Sequence, residues 1–109
     1  MTPREIVEHI RARALEHSLG DWTEASGTYL ITVGGDAPLW VKIRIQPELG
    51  ITVEEVPGSE PADATAALPW ATLVNILQNQ ITPAAAFMAG DLVVDGDLTK
   101  ALLLYALIA

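Results

Sequence analysis

Leu39, Val41, Ile43 and Ile45 alternate with Trp40, Lys42, Arg44 and Gln46. Side chains on a strand point to opposite faces in turn, so each set shares a face. One dry and one wet face is the pattern of an antiparallel sheet. Upstream, residues 28–33 are rich in β-branched side chains and predict another strand. Gly34-Gly35-Asp36 and Pro38 follow it and predict a hairpin turn. Pro47-Glu48-Leu49-Gly50 predicts a second turn and residues 51–56 a third strand, which makes the first three strands a meander.

Helical spacing governs the rest. Thr2-Pro3-Arg4-Glu5 is a capping box with proline at the first helical position. Ile6, Val7, Ile10, Ala14 and Leu15 then recur at helical intervals, predicting an amphipathic helix that runs to about residue 19 and stops at Gly20. After the Pro57–Pro61 loop, Ala62, Ala64 and Ala66 alternate with Asp63 and Thr65, predicting a fourth strand over 62–68. A helix follows from Pro69 to about Gln80, striped by Trp70, Leu73, Val74 and Leu77. A short helix starts at Thr82-Pro83 and is stopped by Gly90. Residues 92–94 predict a fifth strand and Asp95-Gly96-Asp97 a turn. Asp97 is placed to cap a last helix over 98–108. The order α-β-β-β-β-α-α-β-α, with strands grouped as hairpins, predicts an α+β fold.

Composition narrows the function. The chain has 109 residues, read as one domain spanning 1–109, large enough to build a core without staples. It has no cysteine, so no disulfide and no cysteine-based zinc site. With 14 acidic and 6 basic residues the net charge is −8. Nucleic acid is thereby excluded as a partner, because phosphate recognition needs clustered Lys and Arg. No basic stretch precedes an apolar run at the amino end, so no signal peptide is expected. No apolar run reaches the roughly 20 residues of a spanning helix, so stable membrane insertion is not expected. The absence of cysteine fits a cytoplasmic protein.

Chemistry is thin. His9 and His17 lie two turns apart on one helix and do not share a metal without other ligands. Asp91, Asp95 and Asp97 lack the ligand ladder of a calcium loop and suit turns and caps. No serine sits in a nucleophile elbow, and Gly34-Gly35 is not followed by the Lys-Ser/Thr of a phosphate loop. Neither an enzyme nor a bound cofactor or metal is expected. Trp40, flanked on its strand face by Lys42 and Arg44, is either an aromatic lying over its basic neighbours or an interface.

The run "ADATAALPWATLVNILQNQITPAAAFMAGDLVVDGDLTKALLLYALI", residues 62–108, resembles the sterol carrier protein 2 (SCP2) family of lipid-binding domains. The features that match are Ala62-Asp63 opening a strand, an apolar helix, Pro83, Ala86-Phe87, Gly90, Leu92, Val94, Gly96-Asp97 and Ala101 before alternating leucines. The first half agrees in the order of elements. The resemblance implies a five-stranded, mostly antiparallel sheet of order 3-2-1-4-5 with helices on one face. It also implies an apolar tunnel for fatty acyl chains, sterols or phospholipid tails, and no catalysis. In related chains the domain carries lipid, ends alkyl sulfatases, or assists ubiquinone assembly. This sequence ends in Leu-Ile-Ala rather than a Ser-Lys-Leu type of peroxisomal address.

Three stretches bear on that expectation. The last helix is apolar nearly all round, so neighbouring helices, a lipid or a second subunit must cover what one sheet cannot. "AAAFMA", residues 84–89, combines small side chains with an adaptable methionine; it suits either close packing or a ligand wall. The alanines of the fourth strand either admit a helix or leave volume that an apolar guest fills. The expected lipid-binding residues are Phe87, Met88, Leu92, Val94, Leu102, Tyr105 and Ile108, with Trp70, Val74 and Leu77 opposite them. Val41, Ile43 and Ile45 form the expected floor. The alternative is an interaction or dimerisation module, or an accessory partner of a lipid- or quinone-related enzyme, with the greasy helix buried in a homodimer or against that enzyme.

Overall fold

The computed structural model of the chain describes residues 2–16, 26–46, 49–101 and 104. Its elements are α1 (Pro3–Glu16), β1 (Gly27–Gly34), β2 (Leu39–Gln46), β3 (Gly50–Val56), β4 (Ala64–Pro69), α2 (Trp70–Leu77), α3 (Pro83–Met88) and β5 (Val93–Gly96), and the backbone is helical again at 98–101 and at 104. The five strands form one sheet of order β3-β2-β1-β4-β5. All neighbours run antiparallel except β1 and β4, which are parallel, with Tyr29 opposite Ala64 and Ile31 opposite Ala66. Fold class and strand order are those expected.

The period of two on β2 is realised in full. Leu39, Val41, Ile43 and Ile45 are buried, while Arg44 is exposed and Trp40, Lys42 and Gln46 are half-buried. The same dry face carries Tyr29, Ile31 and Val33 from β1, and Ala64, Ala66 and Leu68 from β4. The helices cover this face. α1 packs on β3 and α2, burying Ile6, Val7, Ile10 and Ala14. Its first turn is closed by the reciprocal Thr2 and Glu5 bonds of the capping box, which hold the Glu5 carboxyl below its ordinary value. Arg11 then donates to the Val53 carbonyl at 2.6 Å, and Arg13 to the Leu77 carbonyl at 2.7 Å. The second bond places a cation on the negative end of α2.

Several boundaries differ from expectation, each for a local reason. α2 ends at Leu77 rather than near Gln80, because Asn79 turns left-handed with φ 60°. β4 begins at Ala64, since Ala62 and Asp63 make a corner; the Asp63 carboxylate accepts from the Thr28 N–H at 2.8 Å. β5 is shifted to Val93–Gly96, so Leu92 precedes the strand and Asp95-Gly96 belong to it rather than to a turn. The Gly96 position admits nothing larger: φ is +91°, and a Cβ there would lie 2.5 Å from the Asp63 carbonyl oxygen. Asp97 caps as expected, accepting from the Lys100 N–H at 3.1 Å. The expected end of the first helix at 19–20 and the Pro47-Glu48 half of the second turn lie outside the described residues.

The loop after β3 must pass over β2 and β1 to reach β4. Lys42, on the wet face, pairs with Glu60 of this loop at 3.0 Å, so the crossing runs behind the sheet. Leu30 is buried on that wet face, away from the main core. The expected Trp40–Lys42–Arg44 face is therefore partly covered, with Lys42 turned to Glu60.

Candidate lipid-binding site

Where the other inner strands carry Ile, Val or Tyr, β4 carries Ala64 and Ala66, and helices facing short side chains leave space. A gap opens there between sheet and helices. Its floor is Ile31 of β1 with Ala66 and Leu68 of β4. Leu73 and Ile76 of α2 form the roof, Pro83 closes it from α3, and Leu92 and Leu104 complete it. Every lining side chain is apolar. The free volume is about 10 Å³, the room of about one water, and such apolar voids stay dry. Nothing in the lining binds a polar group or a metal, and among the described residues no three His, Asp or Glu side chains gather as a metal site. The arrangement does no acid–base or nucleophilic chemistry; it can hold hydrocarbon.

A model of the SCP-2 sterol transfer family matches residues 7–109. The chain belongs to that family. No curated protein matches it significantly. Solved structures share the SCP-2 fold at low identity. Palmitated SCP2L2 from Aedes aegypti is 19% identical, with a TM-score of 0.77 over 99% of this chain and 95% of that one. Apo sterol carrier protein 2 from Yarrowia lipolytica is 17% identical, with a TM-score of 0.66 over 94% and 86%. An inverting sec-alkylsulfatase from Pseudomonas sp. is 22% identical, with a TM-score of 0.59 over 80% of this chain but 14% of the enzyme. The SCP-2 fold thus occurs alone and as a minor part of an enzyme.

The SCP-2 gap gathers only some of the residues expected to line a site. Leu92 faces it directly. Leu77 is buried at the end of α2, and Trp70, Val74 and Val94 pack half-buried against the core. Val41, Ile43 and Ile45 are wholly buried, but they belong to the core rather than to the lining of the gap. Phe87 and Met88 are not gathered: they are 42% and 86% exposed, because α3 turns Pro83 and Ala86 inward instead. Leu102, Tyr105 and Ile108 lie outside the described residues; Leu104, between them, lines the gap. Sequence reasoning missed Ile31, Leu68, Leu73, Ile76, Pro83 and Leu104 as lining. The signal was present for α2, where Leu73, Ile76 and Leu77 form the inner row at i, i+3, i+4 spacing.

A second buried feature sits at the corner where β1, β4 and β5 begin or end. Tyr29 is fully buried, and burial, with Asp63 and Asp97 nearby, pushes its phenol up to about 12. Asp63 ties this corner together through Thr28 and through its carbonyl, which accepts from the Asp97 N–H at 3.0 Å. Tyr29 is not legible as buried in the sequence, since a tyrosine in a β-branched run gives no sign of which face it takes.

Proposed function

We propose that the whole chain acts as one non-catalytic, cytoplasmic domain that binds and carries a lipid. The guest would be a fatty acyl chain, a sterol or a similar hydrocarbon, held in an apolar tunnel grown from the gap between β4 and α2. The observation that carries this reading is the wholly apolar lining of that gap, in a family of sterol-transfer domains. A palmitated relative with the same fold supports the acyl choice.

An acyl chain needs many times the present 10 Å³, so binding requires the roof to lift. α3 is the part best suited to move, because it buries only Pro83 and Ala86 of its six residues. Each methylene taken from water contributes about 0.8 kcal/mol, which a chain of ten or more carbons multiplies enough to hold the roof open. Few polar groups face the guest, so length and shape rather than headgroup set selectivity. Native mass spectrometry of freshly purified protein, before and after adding palmitate, tests this. Added mass equal to one lipid supports it. A protein that takes up no palmitate, by mass or by titration of a fluorescent fatty acid, overturns it.

A further inference from the structure

From Ala64 to Gly90 no side chain is ionisable, although the chain as a whole carries 14 acids and 6 bases. That span is β4, α2 and α3, with β4 inside the sheet, so the two helices present a charge-free shoulder on an acidic body. At its edge α3 leaves Ala84, Ala85, Phe87 and Met88 exposed. In sequence the span is bordered by Asp63 and Asp91, and among the described residues the Arg13 guanidinium is engaged with the end of α2.

From this we propose that α3 is a docking face for an electrically neutral, zwitterionic lipid bilayer. The inference rests on the lipid-carrying reading above and says where the guest is exchanged. Charge argues for a neutral surface. The body's net −8 is repelled by anionic lipid, and β4, α2 and α3 contribute no Lys or Arg of their own to attract it, Arg13 being engaged at the Leu77 end of α2. Burying the exposed tip of α3 strips water from no charged side chain of that helix. Area argues against a protein partner or a second copy. Phe87 and Met88 together expose on the order of 250 Å², against about 800 Å² per partner in a stable interface. Such a small apolar tip gives shallow, reversible attachment at the headgroup boundary. Continuity completes the argument: Pro83, at the start of the same helix, lines the gap, so α3 separates bilayer from interior.

The test is flotation of the protein with vesicles of pure phosphatidylcholine, and with vesicles containing phosphatidylserine. Uptake of a fluorescent fatty acid is measured in parallel, once from dilute solution and once from phosphatidylcholine vesicles. Wild type should float with neutral vesicles. Met88→Glu should lower that partition about tenfold or more and slow uptake from vesicles to match. Its uptake from solution should not change, because Met88 points away from the gap. Met88→Trp should raise partition, since indole favours the interface. Leu49→Glu, an equally drastic change at another exposed apolar residue, should behave as wild type. The proposal fails if Met88→Glu floats like wild type, or if Leu49→Glu loses as much. It also fails if only phosphatidylserine vesicles bind, or if Met88→Glu acts by splitting a dimer on size exclusion. Failure of uptake from solution by every variant would instead count against the lipid-carrying reading, while flotation still reports docking on its own.

Discussion

Replacing Ala66 with leucine tests the gap directly. Ala66 is buried on β4 opposite Ile31 and forms the middle of the floor. Leucine adds three carbon atoms, and the space above holds about 10 Å³, so the new side chain overfills it. Overpacking of this kind costs about 1–3 kcal/mol. In a chain of this size that is a fall in Tm of about 5–20 °C. The same change removes the place where a lipid would start to open the roof. For wild type, palmitate free at 100 times its Kd stabilises by about 2.7 kcal/mol, a rise of about 10–20 °C. In Ala66→Leu that rise should shrink below about 3 °C. Ala67→Leu is the matched control. It adds the same volume one residue along, on the other face of β4, beside an open hollow with Thr32 and Val93. Its Tm should stay within about 3 °C of wild type and its palmitate shift should be whole. The measurement is a thermal melt by circular dichroism with and without ligand. An Ala66→Leu protein that keeps the full palmitate shift would refute the placement of the site.

Other perturbations check the frame around the gap. Arg11→Ala should cost about 1.5–3 kcal/mol in urea unfolding, because it removes a charged donor from the Val53 carbonyl. Glu8→Gln, which removes only the exposed partner of the same arginine, should cost under about 0.5 kcal/mol. Gly96→Ala should lose about 2 kcal/mol or more, through both its left-handed φ and its collision with the Asp63 carbonyl. Tyr29 gives an alkaline signature. Its phenol titrates near 12 when folded, against about 10 when unfolded, so the folded state holds the proton longer. Stability is therefore full below pH 10 and falls between pH 10 and 12, by at most about 1.4 kcal/mol per unit. Tyr29→Phe should flatten that fall in stability against pH, and an unchanged slope would contradict the assignment.

The architecture was legible because its signals are local. Strict alternation on β2 fixed which face is dry, and the capping box and Thr82-Pro83 fixed two helix starts. The 3-2-1-4-5 order came from resemblance, since nothing in the alternation of β1 and β4 says that they pair in parallel across 35 residues. Boundaries slipped where a single residue's conformation decides, as at Asn79 and Gly96. The lining was legible in kind but not in register. Leu73 and Val74 are both apolar, and only packing against β4 decides which of the two faces inward. Phe87 misled for a clear reason. A large aromatic beside alanines suits a ligand wall, but with Pro83 and Ala86 taking the inner row of a six-residue helix, it is left largely on the outside.

The parallel ladder between β1 and β4 also governs how the chain assembles. β1, β2 and β3 pair antiparallel with strands adjacent in sequence, whereas β4 reaches β1 only after the intervening chain has closed on itself. The charge-free span from Ala64 to Gly90 is thus the late arrival, exposed to water and to other nascent chains until that ladder zips. A hydrocarbon guest available at that moment would shield the latecomer, so refolding yield should rise when fatty acid is supplied at the start rather than at the end.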